Sequence, residues 1–370
     1  MGRMSSACAG PAPAMSAAAA TTPAAAGSSI HRRTDVGLSV AKLGMLCLSI
    51  AASRCVVPSV AQHDRSAWNR AKACLKRAAR GAYHQSVTMC AGVVLAGGRS
   101  SRMGTAKAAL EWHGSTLLRR TVGIVARATN GPVVVVRATG QDLPELPEGT
   151  VVADDPREGK GPVQGIAAGL AALSGRAEVA FVTSTDMPFL HPAFIRRVLG
   201  VAVQGTGTDV VLPVARGYKQ PLAAAYRVSL AETAERLVIQ DRLRPAFLFG
   251  ECRVETLDDA ALKQDPLLAA LDPDLDSVLN VNTPADYASA RARPAPEVTV
   301  RLFGTLAKGS NASGPHVVRA ATVGGAADAL GIVFDRHVTA ALNGDQITRD
   351  RTTPLAAGDT VFFLSADAGG

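Results

Sequence analysis

The amino-acid sequence predicts an α/β protein, in which a doubly wound domain is followed by a smaller α+β domain. From Ala91 onward, short apolar runs alternate with helical patterns, as is typical of a buried parallel sheet with right-handed crossovers. A stretch rich in Pro, Ala and Arg, SARARPAPE at 289–297, precedes a second group of short apolar runs. The 370 residues, 47% of them hydrophobic, are enough for two such cores.

The first domain is predicted to alternate strands and helices along the chain. AGVVLAGG is predicted as a buried strand, STLLRRTVGIVARAT as an amphipathic helix, and PVVVVRAT and TVVADD as two further strands. GPVQGIAAGLAAL predicts a helix, VAFVTSTDMP a central strand and PAFIRRVLGVAV another helix. Since a Rossmann-like sheet binds ligands at the carboxyl ends of its strands, the polar residues that follow these strands are expected to lie together.

The second domain is predicted over residues 297–370. EVTVRLFGTL, HVVRAATVGGAADAL, VTAALNGDQI and GDTVFFLSA predict strand, strand with helix, strand and strand, a β-grasp-like α+β pattern. We therefore divide the chain into a leader at 1–88, a first domain at 89–290, a linker at 291–296 and a second domain at 297–370. The composition of the linker predicts that the two domains move independently.

The leader accounts for the basic charge of the chain. Residues 1–88 hold eleven of the 39 basic residues but only two of the 31 acidic ones, so the net charge of +8 does not belong to the folded body. Because aromatic residues make up only 4% of the chain, no base-stacking surface is evident either, and we predict no nucleic-acid partner.

We interpret residues 1–88 as a disordered or non-native leader that precedes a natural start at Met89; a signal or transit peptide is the alternative. The apolar run at 43–52 is too short to cross a membrane, which needs about 20 residues, and we predict no membrane partner. Cys90 and Cys252 lack metal-binding spacing, which favours a reducing, cytoplasmic compartment. His113 and His191 are interpreted as loop residues without a role.

A glycine-rich, basic stretch, VVLAGGRSSRMGTAK at 93–107, predicts a polyphosphate site. Glycines at 97, 98 and 104 allow backbone N–H groups to turn towards a ligand, while Arg102 and Lys107 add positive charge. A helix is expected after Gly104, with its positive end towards the phosphates. The stretch contains neither GxxxxGK[ST] nor GxGxxG.

LAGGRSSRMGTAK resembles the signature LAGGxSxRMGxxK of the MobA-like nucleotidyltransferases, the molybdenum cofactor guanylyltransferase family. VVADDPREGKGPVQGIAAGL, TSTDMPFL, GYKQPLAAAY and LNVNTPADY follow in the expected order, so the resemblance covers about residues 89–290. It implies that Gly97, Gly98, Arg102 and Lys107 hold the triphosphate and that Asp186 holds Mg²⁺. The residues expected to bind the nucleotide are Leu95, Ala96, Gly97, Gly98, Arg102, Gly104, Lys107, Asp154, Asp155, Asp186, Asn280 and Asn282, of which Arg102, Lys107 and Asp186 would be catalytic.

The implied reaction is Mg²⁺-dependent transfer of GMP from GTP to molybdopterin with release of pyrophosphate. One carboxylate suits Mg²⁺, although Asp186 could instead cap a turn, and Asn280 and Asn282 could form an Asx-turn. Either Asp154 or Asp155 corresponds to the family's acidic residue. Arg137 lies in the segment where guanylyltransferases carry an asparagine near the base, which leaves CTP as an alternative substrate. A sugar-phosphate nucleotidyltransferase is a further alternative.

The second domain resembles MoaD and ThiS, the ubiquitin-like sulfur carriers, through VRLFG, ALNGDQI, PLAAGDTVFFL and the terminal AGG. The resemblance implies that Gly370, next to Gly369, is adenylated and converted to a thiocarboxylate. The implied partners are an adenylating enzyme like MoeB or ThiF and the large subunit of molybdopterin synthase. Two alternatives are an inactive transferase scaffold with a working carrier, and a β-grasp interaction module.

Overall fold

The computed structural model describes residues 88–97, 107–156, 161–309 and 314–365 of the chain. All of them belong to one compact unit, Gln85–Gly370. Among the predicted site residues, Gly98, Arg102, Gly104, Gly369 and Gly370 lie outside the described residues, as does the leader up to residue 87. No helix in the described ranges combines the length and hydropathy that a membrane span requires.

The first domain is built on an eight-stranded sheet with helices on both faces. Its strands lie in the order β10, β7, β9, β6, β1, β4, β5, with β8 paired to β7, and a two-stranded hairpin, β2–β3, stands apart. The ten strands are β1 (Cys90–Leu95), β2 (Glu111–Trp112), β3 (Ser115–Thr116), β4 (Val133–Ala138), β5 (Val151–Asp155), β6 (Val179–Ser184), β7 (Val210–Ala215), β8 (Tyr218–Lys219), β9 (Ala223–Arg227) and β10 (Val254–Asp258).

Eight helices accompany these strands within the described residues up to 291. They are α1 (Leu117–Ala126), α2 (Pro162–Ala172), α3 (Pro192–Gln204), α4 (Ala231–Ile239), α5 (Pro245–Phe249), α6 (Asp259–Leu262), α7 (Pro266–Leu271) and α8 (Pro284–Arg291). Helices α1 and α3 pack on one face of the sheet, and α2 and α4 pack on the other. The predicted doubly wound α/β fold is therefore confirmed.

The sheet is parallel around the central strand and mixed towards one edge. β1 pairs in parallel with both β4 and β6, whereas β9 runs antiparallel to β6 and β7. Leu95 at the end of β1 lies beside Val136 of β4 on one side and Ser184 of β6 on the other. The carboxyl ends of β1, β4, β5 and β6 therefore meet at one edge of the sheet.

Among the described residues, the first α-helix after Gly104 begins at Leu117, within the segment STLLRRTVGIVARAT that was predicted as a helix. Residues Lys107–Ala109 form a single 3₁₀ turn, the hairpin β2–β3 follows, and α1 begins only at Leu117. His113 and Gly114 turn the hairpin with φ angles of 45° and 88°, a left-handed pair that a helix could not contain. Trp112 is buried and its ring packs at nearly a right angle to that of Phe189, which stabilises the hairpin in place of a helical turn.

The C-terminal domain is a five-stranded mixed sheet with two short helices. Its strands are β11 (Glu297–Phe303), β12 (His316–Arg319), β13 (Val338–Leu342), β14 (Gln346–Thr348) and β15 (Thr360–Ser365), in the order β12, β11, β15, β13, β14. β11 and β15 are parallel, and the other pairs are antiparallel. Helices α9 (Thr305–Gly309) and α10 (Val323–Asp328) accompany the sheet. VTAALNGDQI forms two strands rather than the one predicted, because Asn343 and Gly344 adopt positive φ angles and reverse the chain.

The two domains are packed against each other, so the expectation of independent motion is not met. Ala356 is 3% exposed and belongs to the apolar core between the first domain's sheet and helices α1 and α3. Arg127 of α1 forms an ion pair with Asp359 at 2.5 Å, and both side chains are almost completely buried. These contacts come from residues 350–359, the docking loop, rather than from the linker whose composition suggested mobility.

Candidate active site

The glycine-rich stretch starts where β1 ends, at the edge of the sheet formed by the carboxyl ends of the parallel strands. Ala96 and Gly97 both donate backbone hydrogen bonds to the Val136 carbonyl, at 2.8 and 3.2 Å, and Thr185 donates to the Leu95 carbonyl at 3.3 Å. Leu95 and Ala96 are buried, whereas Gly97 is exposed. A Cβ atom at Gly97 would lie 3.2 Å from the Ala138 nitrogen, so a side chain there would crowd β4.

Three of the predicted residues, Lys107, Asp186 and Asn282, come together at this edge. The Lys107 Nζ donates to Asn282 Oδ1 at 3.0 Å and lies 3.5 Å from Asp186 Oδ2. The Lys107 and Asp186 side chains remain about one-fifth exposed, 21% and 20% respectively, so a ligand can reach both. The cluster thus holds an ammonium, a carboxylate and an amide oxygen within reach of one phosphate-sized ligand.

Hydrogen bonds hold both the side chain and the backbone carbonyl of Asp186. The Ser184 hydroxyl donates to Asp186 Oδ1, and the Val281 N–H donates to the Asp186 carbonyl at 2.8 Å. The Val281 bond connects the segment after β6 to residues 280–282, although these lie almost a hundred positions apart in the chain. It therefore holds Asn282 beside Asp186, which the order of the motifs alone could not show.

Asn282 precedes α8, whose start is stabilised by a capping box. The Thr283 hydroxyl accepts from the Asp286 N–H, and Asp286 Oδ2 accepts from the N–H groups of Thr283 and Asn282. The Asn282 N–H, the Thr283 groups and the nearby Lys107 charge lower the pKa of Asp286. Since Thr283 and not an asparagine caps the helix, the Asx-turn alternative is not needed for Asn282. Asn280 is exposed in the preceding segment.

Asp154 and Asp155 lie at the end of the edge strand β5, away from Asp186. Two other strands, β4 and β1, separate β5 from β6, so these carboxylates lie about 14 Å from Asp186 at ~4.8 Å per strand. The Arg137 Nε donates to Asp154 Oδ1 at 2.7 Å, and the Thr139 hydroxyl donates to the Asp155 carbonyl at 3.0 Å. Asp154 therefore has a charged partner on the strand that carries the unusual arginine.

Sequence reasoning missed a glutamine that fastens β1 to β4 at this edge. Gln141 Oε1 accepts from the Ala138 N–H at 3.1 Å, and Gln141 Nε2 donates to the Ala96 carbonyl at 3.2 Å. The Arg137 Nη1 in turn donates to the Gln141 carbonyl at 3.0 Å. Gln141 lies in a loop with no apolar pattern, so only its neighbours in space reveal this role.

The donor set around Asp186 fits Mg²⁺. Within the described ranges no group of three or more His, Cys, Asp or Glu side chains could hold a metal by itself. Mg²⁺, however, usually takes only one or two protein carboxylates and completes its shell with water and substrate phosphates. Asp186 is a partly exposed carboxylate with hard oxygen atoms, oriented by Ser184, and it would hold such an ion together with the phosphates of a nucleotide.

The two histidines have structural surroundings that the sequence did not indicate. His113 lies in the hairpin turn, as predicted, and Arg291 Nη1 lies 2.9 Å from its Nδ1. His191 is not a plain loop residue: it is 8% exposed, and its Nδ1 accepts from the Ala193 N–H to cap α3. Its Nε2 then donates to the Ala357 carbonyl of the docking loop at 3.1 Å. Burial is the main cause that lowers the pKa of His191.

Arg120 is a buried charge that sequence reasoning also missed. It is 7% exposed on α1, its Nε donates to the Pro188 carbonyl at 2.7 Å, and its Nη1 donates to the Leu355 carbonyl at 3.0 Å. Burial, with a contribution from the neighbouring Arg127, lowers the pKa of Arg120 to about 10. A charged residue on the apolar face of an amphipathic helix, beside Leu117 and Thr121, was the available indication.

The first domain of the chain is similar in sequence to known proteins. The model of the MobA-like NTP transferase domain family matches residues 92–253. A probable molybdenum cofactor guanylyltransferase of Mycobacterium avium is 39% identical over 207 residues, which cover 55% of this chain and 96% of that protein. The protein so named from Mycobacterium tuberculosis H37Rv is 44% identical over 151 residues, or 40% of this chain and 73% of its own length.

Solved structures also resemble the chain. Molybdopterin-guanine dinucleotide biosynthesis protein A from Archaeoglobus fulgidus aligns with a TM-score of 0.44 at 23% sequence identity. The alignment covers 54% of this chain and 96% of that one.

Proposed function

The chain belongs to the MobA-like NTP transferase family and is a nucleotidyltransferase, and we propose that it transfers GMP from GTP to molybdopterin with release of pyrophosphate. The observation that supports this assignment is the convergence of Lys107, Asp186 and Asn282 where β1 and β6 end. A likeness of overall sequence to the guanylyltransferases would not by itself require these three side chains to meet.

In the proposed reaction, a terminal phosphate oxygen of molybdopterin attacks the α-phosphorus of GTP. The bond between that phosphorus and the oxygen bridging to the β-phosphate breaks, and pyrophosphate leaves. Negative charge builds up on the phosphoryl oxygens in the transition state, so positioning and electrostatics supply most of the catalysis. The Lys107 ammonium supplies positive charge at this point, and Asn282 and Asp186 orient it. Asp186 would hold Mg²⁺, which would supply further positive charge to neutralise the phosphates.

The position of the base is proposed to be near the ends of β4 and β5. A nucleotide whose phosphates lie beside Lys107 would extend across the end of β1 towards Arg137 and Asp154. CTP is a second candidate substrate, because the Arg137–Asp154 pair and Thr139 occupy the segment where the guanylyltransferases carry an asparagine. A sugar phosphate is the alternative acceptor.

The test follows pyrophosphate release by the full chain with Mg²⁺ and each of GTP, CTP, ATP and UTP, with either molybdopterin or a sugar 1-phosphate as the acceptor. Asp186→Asn keeps the size of the side chain and removes its charge, and we expect it to lower turnover by about 10³-fold or more. Glu235→Gln, an exposed change on α4, is the matched control and should leave turnover unaltered. Equal turnover by the two variants would refute the assignment of Asp186, and a sugar phosphate as the preferred acceptor would refute molybdopterin.

For the C-terminal domain, we propose a ubiquitin-like sulfur carrier that ends in Gly369 and Gly370. The mixed five-stranded sheet, with its strands in the order second, first, fifth, third and fourth along the chain, supports the proposed resemblance to MoaD and ThiS. Its carboxylate would attack the α-phosphorus of ATP on an adenylating enzyme, releasing pyrophosphate, and a sulfur donor would then displace AMP. We also propose a reducing, cytoplasmic compartment, on the ground that Cys90 and Cys252 lack metal-binding spacing in the sequence.

Intact-mass measurement tests the carrier. The full chain incubated with ATP, sulfide and an adenylating enzyme like MoeB or ThiF should gain the mass difference between sulfur and oxygen, and deletion of Gly370 should abolish the gain. No gain in mass from the intact chain would favour a β-grasp interaction module. A gain in a chain without nucleotidyl transfer would favour the inactive scaffold.

A further inference from the structure

Arg120 connects two parts of the molecule that have different proposed roles. One of its hydrogen bonds goes to the Pro188 carbonyl, within residues 186–190, the Asp186 segment. The other goes to the Leu355 carbonyl in the docking loop of the C-terminal domain. Both acceptors are neutral carbonyls, although Arg120 is buried and charged, and the charges that most affect the Arg120 pKa are those of Arg127 and Asp359.

Burying a guanidinium without a direct counter-ion is costly, and an apolar side chain of similar volume would fill the same space. What the guanidinium adds is geometry. Its N–H donors lie in one rigid plane, so the position of one acceptor restricts the position of the other. The Pro188 carbonyl is therefore fixed relative to the docking loop, and Pro188 is only two residues from Asp186.

The docking loop itself packs closely against α1. A Cβ atom added at Gly123 would lie 2.6 Å from the Pro354 Cγ and 2.7 Å from its Cδ, so glycine is what allows the proline ring to lie on the helix. Arg119 donates to Asp350 at 2.7 Å and Arg127 donates to the Pro354 carbonyl at 2.9 Å. The Leu355 carbonyl thus has a defined position from which to hold Arg120.

We propose that Arg120 is a positioning residue through which the docked C-terminal domain holds the Asp186 segment in place. The proposal rests on the proposed function, in which Asp186 holds the metal ion at the phosphates. When the docking loop is displaced, Arg120 loses the acceptor that orients it and the Pro188 carbonyl loses its fixed donor. Nucleotidyl transfer in the first domain is then coupled to docking of the second.

Gly123→Ala tests the coupling without touching Arg120 or Asp186. Alanine favours the helix more than glycine does, so the change does not weaken α1 itself, but its methyl group meets the Pro354 ring. Pro354→Ala removes the Cγ and Cδ atoms that the methyl group meets, and the double variant Gly123→Ala/Pro354→Ala should restore docking. Arg120→Met removes the connection directly while keeping most of the side chain's volume.

The first readout is amide hydrogen exchange of the full chain, which needs no substrate. We expect both Gly123→Ala and Arg120→Met to speed exchange of the Val281 N–H, which donates to the Asp186 carbonyl, and of the Asp186 segment. The control is Arg197→Met, which removes a hydrogen bond from α3 to the Ala261 carbonyl inside the first domain. This control should leave exchange at Val281 unaltered.

The second readout is turnover. Gly123→Ala and Arg120→Met should each lower kcat roughly tenfold, within the ~100-fold that a misplacement of about 1 Å can cost, with little change in the KM for the nucleotide. Because both act through one connection, the double variant Arg120→Met/Gly123→Ala should be no slower than the slower single variant. Gly123→Ala/Pro354→Ala should recover both kcat and protection.

Two results would overturn the coupling: additive losses of kcat in the double variant, or faster exchange at 350–359 with unaltered exchange at Val281. If the wild-type chain turns over no nucleotide at all, the proposed function fails instead. The exchange data then still decide whether Arg120 transmits docking to the Asp186 segment. A Gly123→Ala chain that fails to fold leaves Arg120→Met and its control to decide.

Discussion

The ion pair between Arg127 and Asp359 makes the packing of the two domains measurable. The two side chains are 4% and 7% exposed and lie 2.5 Å apart, so their Coulomb attraction is about 6–7 kcal/mol at an effective dielectric constant near 20. The desolvation of each ion opposes this by several kcal/mol, so the net stabilisation by the pair is small. Removing one partner alone is different, because the other charge then stays buried without compensation.

We expect Asp359→Ala to lower the free energy of unfolding by about 3–5 kcal/mol, the usual cost of breaking a buried pair. The same change also removes acceptors from the Ala356 N–H and the Asn343 amide. The measurement is urea unfolding of the full chain followed by tryptophan fluorescence and circular dichroism, with the midpoint compared at an unchanged denaturant dependence. Arg127→Met/Asp359→Ala should lose clearly less than the sum of its two single variants.

A surface pair provides the control. Arg319 and Glu297 lie 2.8 Å apart, but both side chains are more than half exposed, so Glu297→Ala should cost less than about 1 kcal/mol. An Asp359→Ala chain no less stable than Glu297→Ala, or strictly additive effects of the Arg127 and Asp359 changes, would refute the reasoning. The buried pair would then not contribute to the coupled unfolding of the two domains.

Three further predictions concern the site and its surroundings. Burial lowers the pKa of His191, so as the pH falls the unfolded chain binds a proton at this histidine before the folded chain does. The free energy of unfolding should therefore fall as the pH drops below about 6.5, the ordinary pKa of histidine, and stop falling below the lowered pKa of the folded state. Urea unfolding from pH 8 to 5 should show a smaller fall for His191→Gln. Lys107→Met should lower kcat for pyrophosphate release by about 10²–10³-fold, and an undiminished kcat would contradict the role of its charge. Arg137→Met should change the KM for the nucleotide and leave kcat nearly unaltered, as for a group near the base; a large loss of kcat at constant KM would place the Arg137–Asp154 pair at the phosphates instead.

Much of the first domain could be predicted because its central strands can be recognised from their own residues. The runs that form β1, β4 and β6 are almost entirely buried, as strands covered on both faces must be, and such runs are visible in the sequence. β9 was not predicted as a strand, since AAAYR has few of the β-branched residues that favour strands. Its antiparallel direction depends on its neighbours β6 and β7 and cannot be inferred from the residues of β9 alone.

The site could be predicted only in part for a related reason. The resemblance and the rule for strand ends brought Lys107 and Asp186 to one edge, and the structure shows their side chains in contact there. The connection of Asp186 to Asn282 through the Val281 N–H joins distant parts of the chain and has no local pattern. Arg120 was visible only as a charge on an apolar helix face, which does not reveal its two carbonyl partners.

The arginines of α1 that contact the docking loop are synthesised long before their partners in that loop. Arg119, Arg120 and Arg127 emerge from the ribosome 231, 235 and 232 residues before their partners Asp350, Leu355 and Asp359. At about 5–20 residues per second, the nascent first domain spends roughly 10–50 s with these guanidinium groups hydrated and with the apolar surface that Ala356 later covers exposed to water. The interdomain face can therefore form only after the docking loop has been synthesised, and until then the first domain presents a basic, partly apolar surface to its surroundings.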